Sequence, residues 1–422
     1  MANGHRVSNK SIVVAALSTV VEWYDFTLYL YFATVLSRVF FGGGEASLLT
    51  TLGGFALAYL MRPVGAVVFG HIGDRKGRRP MLLLSMLLMS VAMLATALLP
   101  THAQVGPAAA WLLIALRCVM GFSVGGEYTG VIAYLLEGSH PKRLGLVASL
   151  AAAASEVGAL LAVAVAALTV SLLSEVELQS WGWRIPFLVG AALAGAVWSA
   201  RSTMDESPDF ERLRATGTLV RNPLAHAISR QRAALARAFA ISALGSITYY
   251  VGITYVPAFL TSVGTMTEAD SLWLSTIAAI AVILVTPVVG LLSDRYGRKP
   301  ALIVLALLSA GLPITLFSLL AGASPGNALL GAVVLALVAG GVSAVGAIAT
   351  GEQFTEDSRA TGLGLGYTLA TAVFGGLTPY VAQRLLEATG APATPGIMIA
   401  VVAVAVLPVF LTMRETAPVK AR

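Results

Sequence analysis

Six ionisable side chains stand inside segments that are otherwise almost wholly apolar: Glu22, Asp25, Arg62, Arg117, Glu127 and Glu156. A charge near the centre of a bilayer costs several kcal/mol unless it is paired or hydrated, so each is a functional candidate. Glu22 and Asp25 are three residues apart and share one helix face, which Tyr29 continues. Arg62 precedes Pro63, a residue that can open helical backbone locally. Arg117 and Glu127 are separated by about 15 Å along a helix axis and lie on different faces, so they cannot pair with each other. The expected partners are Arg117 with Asp25 or Glu22, and Arg62 with Glu127 or Glu156.

Four acids against two arginines leave carboxylates in excess. A carboxyl that meets water in one state and an arginine in another can load and release a proton. Glu22, Asp25, Arg117, Glu127 and Glu156 are the candidates for that coupling. A guanidinium fork suits a substrate carboxylate, which makes Arg62 and Arg117 candidate anchors. Tyr29, Tyr128, Tyr249 and Tyr250 are candidate substrate contacts, with Tyr134, Tyr255 and Tyr367 as further cavity-lining possibilities. The second half offers Thr248, Thr368, Thr371 and Thr378 instead of deep charge, so it would supply hydrogen bonds and shape. A single cysteine, Cys118, allows no internal disulfide, and no Cys/His spacing suggests a metal. No cofactor is expected; a proton gradient would be the driving force. H-E-x-x-H is missing, no soluble stretch is long enough for a catalytic domain, and no strand precedes Gly125-Gly126 or Gly362-x-Gly364-x-Gly366, which argues against an enzyme and against a nucleotide site.

The elements that must position these groups follow from composition. The chain is 57% hydrophobic and 11% charged, whereas soluble domains carry roughly a quarter charged residues. About 20 apolar residues cross a hydrocarbon core. Twelve such segments lie near 11–36, 47–70, 80–99, 108–136, 143–170 and 183–201, then 235–262, 270–292, 300–320, 327–350, 359–388 and 393–413. The expected architecture is an all-α integral membrane protein with an amino-terminal six-helix bundle (1–200), a linker (201–234) and a carboxy-terminal six-helix bundle (235–422). The linker is the only long polar stretch and should hold a short amphipathic helix at the cytoplasmic surface. The net charge of +6 is dispersed among apolar spans, which excludes a nucleic-acid-binding face. Basic residues follow the second, fourth, sixth and eighth spans and mark the termini through Arg6, Lys10, Arg414, Lys420 and Arg422. Both termini are therefore expected in the cytoplasm. The first span has acids at its centre and no small-residue cleavage site, so it reads as a retained helix rather than a signal peptide.

One charge-dense loop occurs twice, as Gly70-His71-Ile72-Gly73-Asp74-Arg75-Lys76-Gly77-Arg78-Arg79-Pro80 and Gly290-Leu291-Leu292-Ser293-Asp294-Arg295-Tyr296-Gly297-Arg298-Lys299-Pro300. Each copy joins two apolar spans, the mark of two homologous membrane halves. Asp74 and Asp294 can accept bonds from a helix N-terminus or an arginine. Glu137 and Arg143 are partly echoed by Glu352 and Arg359. Gly121-x3-Gly125 and Gly126-x3-Gly130 should let helices approach closely.

The duplicated loop resembles the signature between helices 2 and 3, and 8 and 9, of the major facilitator superfamily. Glu22-Trp23-Tyr24-Asp25-Phe26, Leu60-Met61-Arg62-Pro63-Val64-Gly65, Gly121-Phe122-Ser123-Val124-Gly125-Gly126-Glu127-Tyr128, Trp181-Gly182-Trp183-Arg184-Ile185-Pro186-Phe187 and Glu206-Ser207-Pro208 look like the metabolite:proton symporter family within it. The resemblance implies a bacterial inner-membrane protein with alternating access, working as a monomer. It implies that the loop residues named above, with Glu137 and Arg143, form a latch between the cytoplasmic ends of the halves. Its members carry carboxylates, shikimate, or proline and glycine betaine. The expected function is proton-coupled uptake of a small carboxylate-bearing metabolite. Proton-coupled osmolyte uptake and proton-driven export of a metabolite or drug are the alternatives.

Overall fold

The structure, a computed structural model, describes residues 8–43, 45–263, 266, 268–322 and 324–417. Arg6, Lys420 and Arg422, expected to mark the termini, lie outside the described residues. Every regular element among the described residues is helical. The first half contains α1 (Asn9–Tyr31), α2 (Ala33–Phe41), α3 (Glu45–Lys76), α4 (Arg78–Ala97), α5 (His102–Val105), α6 (Ala108–Gly138), α7 (Leu144–Leu172), α8 (Glu175–Glu177) and α9 (Arg184–Arg201). Two short helices follow, α10 (Pro208–Ala215) and α11 (Pro223–Arg230). Next come α12 (Arg232–Tyr249), α13 (Val256–Ser262), α14 (Glu268–Tyr296) and α15 (Arg298–Leu320). The chain closes with α16 (Pro325–Gly351), α17 (Arg359–Thr371), α18 (Thr378–Thr389) and α19 (Thr394–Thr412).

Each of the twelve apolar segments is thus helical. Ten described helices are long and apolar enough to cross a membrane, eleven if the bent pair at Trp183 is one span. Their outward faces explain why. Leu57, Leu60, Val64 and Val68 on α3, and Leu84, Leu87, Val91 and Leu94 on α4, are exposed large apolar side chains at helical spacing. Apolar faces of this extent suit lipid, not water. Pro63 and Pro287 sit inside continuous helices. Two π-helical turns, Tyr250–Thr254 and Ala372–Gly376, divide what the sequence reads as single spans over 235–262 and 359–388.

The chain divides into two compact units: 1–138, 154–226 and 356–364 in the first, and 139–153, 227–355 and 365–422 in the second. The first turns of α7 therefore belong to the second unit, and the first turns of α17 to the first. In the first unit α3 lies along α6, and α4 against α6 and α9. Its core gathers Tyr24, Phe32, Phe40, Met86, Leu113, Trp183 and Phe187. In the second unit α14 lies along α16, and α15 along α16 and α19. Phe259 and Phe317 centre one of its apolar clusters, Leu302 and Phe410 another.

Small residues set the closest approaches. A Cβ on Gly65 would strike the Phe122 carbonyl, one on Gly121 the Ala58 carbonyl, and one on Gly125 the Arg62 carbonyl. Three glycines thus bring α3 and α6 to backbone contact, and that contact fixes where Arg62 points.

Candidate functional site

Within the first unit, a pocket is lined by Asp25, Phe26, Tyr29, Tyr59, Arg62 and Arg117, with Ala58, Met120, Gly121 and Val124 completing the wall. Helices α1, α3 and α6 supply all of these residues. Glu22, Asp25, Tyr29, Arg62 and Arg117 are each less than a tenth exposed.

The two arginines are held differently. Arg117 donates from Nη1 to Asp25 Oδ2 at 2.8 Å and from Nη2 to Thr96 Oγ1 at 3.2 Å. Its guanidinium lies 5.4 Å from the Tyr29 ring and 5.8 Å from that of Phe187. Arg62 lies over two rings, 4.8 Å from the Phe26 centroid and 4.5 Å from that of Tyr59, and these rings meet edge to face with centroids 5.0 Å apart. Its Nη2 stands 3.8 Å from Glu22 Oε1, beyond hydrogen-bonding range. Glu22 Oε2 and Asp25 Oδ1 have no hydrogen-bond partner among the described residues. The site therefore holds one arginine directly bonded to an acid and one packed over a pair of aromatic rings.

Of the expected pairings, Arg117 with Asp25 is the one formed there. Arg62 has Glu22 beside it, which the sequence reading did not anticipate. Glu127 is claimed by Arg201, a residue read as the start of the linker but buried at the end of α9. Glu156 is buried on α7. Tyr29 lines the cavity and donates to the Thr51 carbonyl at 2.9 Å. Tyr128 is not among the lining residues. Tyr249 and Tyr250 belong to the second unit, their ring centroids 5.4 Å apart. Tyr134 donates to the Asp205 carbonyl and Tyr255 to Gln383, so both hydroxyls have structural partners.

The repeated loop is built twice with the same chemistry. In the first unit Asp74 accepts from the backbone of Ala360 at 3.1 Å and Thr361 at 2.9 Å, from the Thr361 hydroxyl at 2.6 Å, and from Arg78 at 2.6 Å. Arg78 also bonds Glu137 at 2.8 Å. Glu137 further accepts from Arg359 at 3.1 Å and from Ser207. In the second unit Asp294 accepts from the backbone of Gly145 at 2.8 Å and Leu146 at 2.9 Å, and pairs with Arg298 at 2.9 Å. Arg298 reaches Glu352 at 3.2 Å, and Thr416 donates to Glu352 at 2.6 Å. Each aspartate thus caps one helix start, α17 or α7. Gly77 and Gly297 turn the chain at φ +111° and +108°, a backbone region that favours glycine. Gly70 and Gly290 admit Thr361 and Ser149 at contact distance.

Three expected members of this network are not in it. Arg75, Arg143 and Arg295 are exposed, with no ion pair among the described residues; Arg295 lies over the Tyr296 ring at 5.5 Å. Each sits on the water-facing side of its turn, so Glu137 turns to Arg78 and Arg359 rather than to Arg143. The loop's second arginine position, Arg78 and Arg298, carries the ion pairs because its side chain points inward.

Sequence reasoning also missed a second pair of caps. Glu206 accepts from the backbone of Arg78 at 2.8 Å and Arg79 at 3.2 Å, and Glu415 accepts from Arg298 at 2.8 Å and Lys299 at 3.1 Å. The signal was present: Glu206-Ser207 follows the sixth span as Glu415-Thr416 follows the twelfth. Burial raises the Glu206 carboxyl above the usual range against these donors. Asp209, beside Arg359 at 3.3 Å, is also raised, first by burial and then by Glu137 and Glu356. Asp205 is lowered, chiefly by its bonds to Ser8.

A sequence model described as "Sugar (and other) transporter" matches residues 11–225, and one described as "Major Facilitator Superfamily" matches 265–422. The alpha-ketoglutarate permease of Escherichia coli K12 is 34% identical, over 89% of this chain and 87% of its own length. The chain belongs to the major facilitator superfamily. Among other relatives of this superfamily member, the citrate-proton symporter of Klebsiella pneumoniae is 31% identical over 94% and 89%, and the proline/betaine transporter of Escherichia coli K12 is 29% identical over 97% and 84%. A solved structure of the proton:xylose symporter XylE superposes with a TM-score of 0.82 at 18% identity, covering 96% of each chain, which shows the shared fold. This major facilitator protein is a multi-pass inner-membrane transporter and not an enzyme.

Proposed function

We propose that the chain is a proton-coupled importer of a small carboxylate-bearing metabolite, with Arg62 as substrate anchor and Glu22 and Asp25 as the proton-accepting pair. The observation that carries this reading is the arrangement around Arg62. Its guanidinium packs over the Phe26 and Tyr59 rings, and Glu22 stands at 3.8 Å. A guanidinium fork held in place by aromatic rings can receive a carboxylate in two parallel bonds. When a substrate carboxylate takes that fork, Glu22 loses its counter-charge and gains reason to hold a proton. Substrate and proton then travel together. Arg117, bonded to Asp25, would serve as the second coupling pair. Both termini would face the cytoplasm, on the distribution of basic loops.

Osmolyte uptake is the weaker reading on the same evidence. An aromatic cage for a quaternary ammonium needs open ring faces, and the Arg62 guanidinium already lies over the Phe26 and Tyr59 rings. A thermal-shift screen of the purified protein against mono-, di- and tricarboxylates and betaines tests the choice, since a ligand of the folded state raises its melting temperature. A carboxylate should raise it and lose that effect in Arg62→Ala. Uptake of that carboxylate into proteoliposomes should then move protons inward. Stabilisation by betaines alone, or uptake indifferent to a protonophore, would refute the reading.

A further inference from the structure

Outside the cavity, four helices of the first unit converge on one ion pair. Glu127 on α6 and Arg201 at the end of α9 have no solvent exposure. Both carboxylate oxygens are occupied. Oε1 accepts from Arg201 Nη2, and Oε2 accepts from Arg201 Nη1 at 3.0 Å and from Ser85 Oγ on α4 at 2.5 Å. Arg201 is further held by the Leu82 carbonyl at 2.8 Å and the Ser18 hydroxyl on α1. Protonating such a carboxylate would strand a buried guanidinium without its counter-charge, an expensive state. Glu22 lies one turn beyond Ser18 on the same helix and differs in kind. One of its oxygens has no hydrogen-bond partner among the described residues, and the other stands 3.8 Å from Arg62. The charged groups acting on Glu22 from the neighbouring helices are Arg62 on α3, Glu127 on α6 and Arg201 on α9.

We infer that Arg201 is a positioning residue for proton coupling: it keeps Glu127 permanently ionised as a fixed, internally neutral pair beside Glu22, and leaves Glu22 as the acid that exchanges the proton. This rests on the symport reading above. It assigns two buried glutamates opposite duties from their hydrogen bonding. One is saturated by a fork and a hydroxyl, the other keeps an open oxygen. Ser18 and Ser85 belong to the device because they hold the fork in register.

Infrared difference spectroscopy of the purified transporter on acidification tests the assignment without substrate or gradient. One component of the carboxylic-acid carbonyl band that grows in the parent should be missing in Glu22→Gln and persist in Glu127→Gln. Arg201→Met should show an additional band at neutral pH, because Glu127 then neutralises itself by taking a proton. That band should disappear in Arg201→Met/Glu127→Gln and in Arg201→Lys, where the charge is restored. A parent band lost in Glu127→Gln, or a folded Arg201→Met with no new band, would overturn the inference. If Arg201→Met does not fold, the isosteric Glu127→Gln decides alone. Failure of proton coupling in proteoliposomes would remove the symport reading while leaving these spectra intact, so the two failures are distinguishable.

Discussion

Replacing the first glycine of the repeated loop tests how tightly α3 holds the start of α17. A Cβ built on Gly70 would stand 2.6 Å from Thr361 Cα and 2.9 Å from Thr361 N. Carbon atoms in contact rest about 3.5–4.0 Å apart, so in Gly70→Ala the two segments must separate by about 1 Å. Asp74 bonds Ala360 N at 3.1 Å and Thr361 N at 2.9 Å. Lengthening each by about 1 Å carries both beyond hydrogen-bonding range. Two buried N–H groups would then lack an acceptor, at about 1–3 kcal/mol each. Compressing the contact instead costs about 1–3 kcal/mol. These are alternative ways of relieving one clash, so the cheaper one sets the expected loss at about 1–3 kcal/mol. Gly311, in α15, provides the control: a Cβ there meets nothing within 4 Å. Gly311→Ala should gain about 0.5–1 kcal/mol from helix propensity alone. Thermal unfolding in detergent reads both. At roughly 2–4 °C per kcal/mol, Gly70→Ala should melt roughly 2–12 °C below the parent. A Gly70→Ala protein that melts within about 2 °C of the parent would refute the reasoning.

Three further outcomes follow from the same structure. Arg117→Ala strands the buried Asp25 carboxylate and should cost about 3–5 kcal/mol, most of it recovered in Arg117→Ala/Asp25→Asn, as a double-mutant cycle in thermal unfolding would show. Glu415→Ala removes the acceptor for the first N–H groups of α15 and should cost about 1–2 kcal/mol; an equal loss is expected for Glu206→Ala on α4. Asp205 is held below the usual carboxylate range by Ser8, so its contribution is present above about pH 4 and fades as pH falls through the folded-state value. Melting curves down a pH series should therefore show weaker acid sensitivity in Asp205→Asn than in the parent.

Much of the site was legible before folding was known. Glu22, Asp25, Arg62 and Arg117 stand out because a charge in a lipid-crossing segment cannot be casual, whatever surrounds it. The twin loops announce their aspartates in the same way, by repetition. Arg201 was not legible, because at the edge of an apolar run a buried arginine and a surface one read alike; only the carboxylate it faces distinguishes them. Arg75, Arg143 and Arg295 show the converse, since all three have the right type and spacing yet face outward.

The sequence by itself determined the elements and the inventory of charge: helical spans from the length of apolar runs, two related halves from the repeat, and an amino-terminal half richer in deep ionisable groups. Tertiary structure alone decided the partners. Whether Arg62 meets Glu22 or Glu127 depends on how far α3 is driven into α6, and that distance is set by Gly65, Gly121 and Gly125 meeting backbone carbonyls. Hydrophobic patterning is a property of one helix and can be counted along it. Ion pairing acts over a few ångströms between helices and belongs to no single segment.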